Sequence, residues 1–451
     1  MKNTTLDGLE IGYIQISAAE IEQVLQLHRR FLGGQRGGIR ACLKFYDLSR
    51  TNLQNALLAE ADFTGAKLAE ANLAGANLRG ACFFGADLRR ANLSRATMIR
   101  TDLRGAAMRG ATLARAILTE ADLRDGYLMR SKNGDLSPLS PDHSATELSE
   151  ASMVRADLSR AKLSNAFVIQ ADLRDTDLRG AVFVRADLSG SDLTGCNLEG
   201  ADLSDANLSG AKLDGSILTR ALLRNTNLSS ASLLGALLDD VDLSLANLSG
   251  ADTLRRLDGI EGVIGNALRL HREWIVSNGH KGKRADLSGI DLSHQDLSNL
   301  NLSAAILKQT SLRGANLSGT VLAMADLSMA DMRQAQLPKA DLRGACLERA
   351  ILHDANLTNI IASPMELRNG QNWPTNFSKA RLVRVNMAGG NLTAARMEDG
   401  DFTQANLQNA VLRDAVMTDT IMTMADLRDA DLKNTDLRGA RDLMLPVSGV
   451  A

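Results

Sequence analysis

The chain has 451 residues, with 51 Lys and Arg against 53 Asp and Glu, a net charge of −2 and 3% aromatic residues. Near-neutrality excludes a polybasic nucleic-acid binder and a strongly acidic protein. The scarcity of aromatics points to a narrow interior filled by Leu, Ala and Met. No stretch reads as a transmembrane span or a cleavable leader, because Met1-Lys2-Asn3-Thr4-Thr5 has no apolar run behind its charge. The four cysteines are scattered, with no Cys-x-x-Cys pair, which predicts reduced thiols and a cytoplasmic setting.

The first predicted element is an amphipathic helix over residues 17–33. Ser17 and Glu20 have capping-box spacing, Ile21, Val24, Leu25, His28, Phe31 and Leu32 share one face, and Gly33 ends it. A basic, glycine-rich turn follows, Gly34-Gln35-Arg36-Gly37-Gly38. From Ala41-Cys42-Leu43 onward a five-residue repeat takes over, as in Ala86-Asp87-Leu88-Arg89-Arg90 and Ala91-Asn92-Leu93-Ser94-Arg95. The central Leu and the Ala two positions before it lie on one side of an extended segment, and the polar residue between them faces outward. The last two residues are small or polar and suit a turn. A period of five fits neither a straight strand nor an α-helix, around which such a step walks the Leu. It fits a chain that turns a corner in every repeat and points Leu inward from all sides. Phe63, Phe83, Phe183, Phe377 and Phe402 occupy the central slot and read as core.

The repeat keeps one phase to Gly126-Tyr127-Leu128, loses its motif over residues 131–145 and resumes at Thr146-Glu147-Leu148. Residues 131–145 read as degenerate sides of a coil or as a loop ejected from the wall, and Pro138 and Pro141 favour a loop for part of them. The pattern stops at Ala251-Asp252-Thr253. Residues 256–284 then repeat the opening design. Leu270-His271-Arg272-Glu273-Trp274-Ile275 matches Leu27-His28-Arg29-Arg30-Phe31-Leu32, and Gly279-His280-Lys281-Gly282-Lys283 supplies the second basic turn. A second block in a new phase runs from Ala285-Asp286-Leu287 to Thr435-Asp436-Leu437. It is irregular over residues 360–374, where Asn372-Trp373-Pro374 predicts a protruding loop.

These repeats resemble the pentapeptide repeat family along nearly the whole chain. The resemblance implies a right-handed, four-sided parallel β-helix with four pentapeptides per coil. With the phase change and the duplicated helix, the expectation is an all-β solenoid of two right-handed quadrilateral parallel β-helix units, each preceded by a capping α-helix. The expected divisions are an N-terminal segment with its helix (residues 1–40), a first β-helix (41–255), a linker with the second helix (256–284), a second β-helix (285–439) and a tail (440–451). A helix belongs at each start because a first coil exposes open edges and a bare apolar end.

Residue chemistry predicts no catalytic, cofactor or metal site. His143, His280, His294 and His353 lack metal-ligand spacing, no nucleophile–base pattern is visible, and a flat wall offers no cleft. His28 and His271 read as cap residues that hydrogen-bond the first coil, together with Phe31 and Trp274. Residues 76–115 are rich in Arg, with Arg89 and Arg109 predicted to stack in one column and Arg95 and Arg115 in another. Residues 186–215 are acidic and include Asp187, Asp192 and Asp202. These bands, with Trp373 on its loop, are the candidate contacts of a non-catalytic scaffold for a protein partner. The alternative is a DNA mimic acting on gyrase or topoisomerase IV, a role the resemblance implies for some members. The net charge and the Arg-rich band disfavour it. Neither membrane association nor direct nucleic-acid binding is expected. The short apolar tail Asp442-Leu443-Met444-Leu445-Pro446-Val447 either folds over the last coil or leaves that end free for a homodimer.

Overall fold

The computed structural model describes residues 12–132, 135–138, 145–253, 260–367 and 370–443. Pro141, His143, Met1–Thr5 and Met444–Val447 therefore lie outside the described residues. The chain divides into two compact units, Met1–Asp252 and Thr253–Ala451. Each has its own apolar core.

Within the wall, each outward Asp or Asn pairs in parallel with the residue twenty positions later, as in Asn52↔Asn72↔Asn92. One coil is therefore four pentapeptides. The ladder is minimal. The Asp62 N–H donates to the Ala41 carbonyl at 3.0 Å, and the Leu43 N–H donates to the Asp62 carbonyl at 2.7 Å. At each corner the next Ala N–H closes a turn onto the preceding central carbonyl, as from Ala61 to Leu58 at 3.1 Å. The second residue after the central Leu takes a left-handed conformation, whether it is Gly80 (φ 65°) or Arg95 (φ 58°). The repeat's preference for Asp or Asn has a local cause. Its Oδ1 accepts the N–H two residues on, as from Ser49 to Asp47 at 3.1 Å, and fixes the approach to the corner. Central Leu residues such as Leu48, Leu58 and Leu188 are fully buried, each contributing roughly 1.5–3 kcal/mol through apolar burial.

Two hairpins leave the wall, and the ladder resumes in register beyond each. Ala107 pairs with Glu147 and Asp122 with Lys162, so the ladder runs on from the Asp122 pentapeptide to the Thr146 one, and the described residues 126–132 and 135–138 stand outside it. The excursion is wider than the sequence pattern indicates. Tyr127 is exposed instead of occupying a repeat slot, and Met129–Lys132 pairs antiparallel with Asp135–Pro138. Leu128 lies against the Gly85 corner, where an added Cβ would come within 2.5 Å of it. In the second unit Cys346 pairs with Asn376 and Ile361 with Asn391, so the described residues 365–367 and 370–374 stand outside the ladder. Met365–Glu366 pairs antiparallel with Asn372–Trp373. Ile360 and Ala362, expected within the irregular stretch, stay buried in the wall.

A threonine re-enters the wall after each hairpin. The Thr146 hydroxyl accepts the Gly105 N–H at 3.0 Å and donates to the Arg124 carbonyl at 2.8 Å. Thr375 accepts the Gly344 N–H at 3.0 Å and donates to the Leu342 carbonyl at 2.9 Å. Both fill the slot of the inward Ala and supply partners where the hairpin opens the ladder. Gly105 needs to be glycine, and at Gly344 a side chain would have to displace its neighbours. An added Cβ would come within 2.2 Å of the Gly126 carbonyl oxygen at one and 2.6 Å of Met324 Sδ at the other, on a left-handed backbone.

Two helices stand before the repeats. Ala18–Leu32 (α1) carries a complete capping box, in which Ser17 Oγ accepts the Glu20 N–H and Glu20 Oε2 accepts the Ser17 N–H. Its Leu25 joins the first core, with Ile21 and Val24 packed against it, while Leu32 remains exposed. Ile260–Val276 (α2) places Ile264 in the second core, with Ala267 and Leu268 beside it.

Candidate functional site

The histidines sit at the junction of helix and wall. His28 is fully buried, and its Nδ1 accepts the N–H of Ala41, the opening residue of the first block, at 3.0 Å. His271 does the same for Ala285 at 3.1 Å. An accepting Nδ1 carries no proton, so the neutral tautomer holds it on Nε2. The rings stack on Phe31 and Trp274, with centroids 5.7 and 5.8 Å apart. Burial lowers both histidine pKa values. The Ala59 backbone and Glu60 partly oppose this at His28, while Arg40 adds to it, and Arg284 adds to it at His271. The preceding arginine of each module also reaches one coil up: Arg40 Nε donates to the Glu60 carbonyl, and Arg284 Nε to that of Ala304.

The four faces of the first unit are named here by their first outward residues: Cys42, Asp47, Asn52 and Leu57. Two arginines of the expected basic band, Arg89 and Arg104, are held by the sequence Asp-Leu-Arg itself. Arg89 binds Asp87 through Nε at 2.8 Å and Nη2 at 2.6 Å, while its backbone N–H donates to the same carboxylate. Arg104 and Asp102 do likewise, as do Arg174 and Asp172. The Arg174 guanidinium holds the Asp172 carboxyl below its usual range. Arg109 pairs with Glu150, which the first hairpin's excursion brings alongside.

Arg89 and Arg109 share the Asp47 face, one coil apart. Arg95 and Arg115 stack at the corner between the Asn52 and Leu57 faces, and Arg155 follows directly above them. The acidic residues are not brought together. Asp187 stands on the Asp47 face, Asp192 on the Asn52 face and Asp202 on the Cys42 face. The expected acidic band is thus distributed around the perimeter, because successive pentapeptides face different directions. Each of these carboxylates accepts a turn N–H, from Ser189, Thr194 and Ser204 respectively. Trp373 is exposed on its hairpin, near the Gly344 corner. Among the described residues no cluster of His, Cys, Asp or Glu could hold a metal ion, and no helix is long and apolar enough to cross a membrane.

The sequence pattern did not reveal His353. Its Nε2 is buried without a hydrogen-bond partner, and burial lowers its pKa to about 4. Arg381, Arg333 and Arg384 reinforce the shift and Asp401 opposes it. The only available signal was its position, immediately after a central Leu, which corresponds to no family of ligands.

A family described as Pentapeptide repeats matches eight stretches: residues 47–84, 86–125, 144–180, 181–220, 216–252, 285–323, 315–354 and 401–439. No curated protein matches the chain. Among solved structures, it is similar to HetL, a pentapeptide repeat protein involved in heterocyst differentiation regulation from the cyanobacterium Nostoc sp. strain PCC 7120. That match has 23% identity, covers 75% of this chain and 89% of HetL, and has a TM-score of 0.23. It is also similar to QnrB1, a plasmid-mediated fluoroquinolone resistance protein, at 18% identity over 50% of this chain and 95% of that one, with a TM-score of 0.21. A pentapeptide repeat protein of the Arabidopsis thaliana thylakoid lumen matches at 33% identity over 24% of this chain and 72% of its own, with a TM-score of 0.18.

Proposed function

The chain belongs to the pentapeptide repeat family, a right-handed β-helix solenoid, and on that premise we propose that it is a non-catalytic scaffold that binds a protein partner through its flat faces and two hairpins. The observation that carries this reading is the division of labour within the repeat. Inward slots are nearly uniform, while outward slots on one uninterrupted wall vary freely, as Asp47, Lys67, Asp87 and Ala107 do along one column. A wall of this kind holds side chains in fixed register over many coils, which suits an extended contact surface. Arg89, Arg95, Arg109, Arg115, Asp187, Asp192, Asp202 and Trp373 are the proposed contacts.

The chain is proposed to comprise two modules, each opened by a helix that caps its first coil: a first β-helix over residues 41–255 and a second over 285–439. The matched His28–Ala41 and His271–Ala285 bonds support this. The far end of the second unit carries half-buried Leu432, Leu437, Ala440 and Leu443, which supports pairing with a second copy there. A DNA-mimicking surface would need acidic columns, and the Arg95–Arg115–Arg155 corner speaks against it.

The test is affinity purification from the native lysate, with a Leu188→Lys variant controlling for capture by unfolded chain. Proteins enriched only with the folded form are expected. Equal recovery with both forms would overturn the scaffold reading.

A further inference from the structure

We infer that the Leu57 face of the first unit docks an acidic amphipathic α-helix of a partner protein. The inference rests on the scaffold reading and assigns it a surface and a chemistry. Two outward residues of this face, Ile99 and Ile117, are diagonal neighbours on adjacent coils, and Ile117 is 39% exposed. Around them lie Arg79 on the face itself, Arg95, Arg115 and Arg155 along one corner, and Arg100 and Arg160 along the other. The acids in the same area are Glu120, which pairs with both Arg100 and Arg160, Asp157, which accepts the Thr119 hydroxyl, Glu60 beside Arg79, and, at the upper edge, Asp175 above Arg155 and Asp177 above Asp157. Arg79 and Arg95 are exposed and have no ion pair among the described residues. An apolar centre with a rim in which arginines outnumber acids is the complement of an amphipathic segment carrying acids beside its apolar residues.

The spacing favours a helix. Successive arginines of the corner column are one coil apart, or ~4.8 Å, so the first and third are about 9.6 Å apart by the same spacing. Carboxylates at positions i, i+3 and i+7 of a helix span about 10.5 Å. Three same-side residues of an extended strand span about 13 Å and run ahead of the column. The column exists only in the folded chain. The jump in register after Asp125, by which Thr112 pairs with Ser152, sets Arg155 directly above Arg115. The hairpin leaves from the diagonally opposite corner, where Leu128 meets Gly85, so its stem does not cross this face.

The test places a photo-crosslinking benzoylphenylalanine at position 97, in place of Thr97 on this face, and another in place of Ser209 on the Asp47 face. The full-length protein is irradiated in native lysate, and the crosslinked peptides are sequenced. The expected result is a crosslink at position 97 to one acidic, helix-forming peptide. It should weaken roughly tenfold in an Arg95→Glu/Arg115→Glu variant and also weaken in raised salt, as a contact made by exposed rim charges does. An Ile117→Ser variant should weaken it too, whereas a contact made by charge alone would not change. Nuclease-sensitive crosslinks at position 97, or a peptide without acidic residues, would overturn the inference. A specific crosslink only at position 209 would overturn it while leaving the scaffold reading intact. No specific crosslink at either position, with no partner recovered by affinity purification, would defeat both.

Discussion

His28 Nδ1 accepts the backbone N–H of Ala41 at 3.0 Å, so one imidazole joins the helix to the opening residue of the wall. His28→Ala leaves that buried N–H without a partner. The expected loss is about 1–3 kcal/mol, read as a lower urea midpoint. His280→Ala, at an exposed turn position, should change nothing measurable. Equal midpoints for the His28 variant and the native chain would exclude a capping role for the bond.

The same geometry makes the two helix–wall junctions acid-sensitive. The folded chain holds His28 and His271 with lowered pKa values, so the unfolded chain binds protons more readily. Their contribution is fully present above the unfolded value of about 6.5 and falls as pH drops towards the folded values. His353 extends the window to about 4. Clamped carboxylates such as Asp172 contribute at lower pH, losing stability as pH falls below their ordinary range near 4. Urea midpoints measured from pH 7.5 down to 4 should therefore decline from about 6.5 downward. The decline should be shallower in a His28→Gln/His271→Gln variant, and a flat profile between 7 and 5 would contradict the assignment.

Leu188 is fully buried, whereas its neighbour Ser189 faces outward. Leu188→Lys places a charge in the core and should abolish cooperative unfolding, a loss of more than about 4 kcal/mol. Ser189→Lys keeps the backbone N–H that Asp187 accepts and should stay within about 0.5 kcal/mol. Equal effects on the melting temperature would mean that the register is misassigned.

Thr375→Val should cost about 1–3 kcal/mol, because the Gly344 N–H loses its acceptor. Hydrogen exchange at the Gly344 amide should accelerate, and Thr375→Ser should restore it. Thr226 offers the contrast. Its hydroxyl donates to the Leu203 carbonyl, which already accepts the Ala206 N–H. Thr226→Ala should therefore be nearly neutral.

Removing residues 126–145 joins Asp125 to Thr146 and makes their pentapeptides consecutive in the wall. This deletion should yield a folded protein with its urea midpoint nearly unchanged. Deleting residues 121–125 instead removes one side of a coil and should cause a large loss. Similar destabilisation by both deletions would show that the first hairpin is an integral part of the coil.

Sequence alone determined the inward and outward assignment of nearly every repeat, because a period of five admits one arrangement in which Leu always meets Leu. It also marked the first helix, since the Ser17–Glu20 capping box and an apolar face are local, and it marked the second and paired His28 with His271 through the duplicated motif. Tertiary structure decided what depends on residues far apart in the chain. The jump in register between Asp125 and Thr146 placed Glu150 beside Arg109 and Arg155 above Arg115. It also drew Tyr127 and Leu128 out of a phase they seemed to continue. Asp187, Asp192 and Asp202 read as one band along the sequence but occupy three faces, because each corner turns the next side chain in a new direction. Thr146 and Thr375 resemble the other inward hydroxyls until the ladder they close is visible. Periodicity fixes which way a residue points, and only closure of the coils fixes which residues stand next to it.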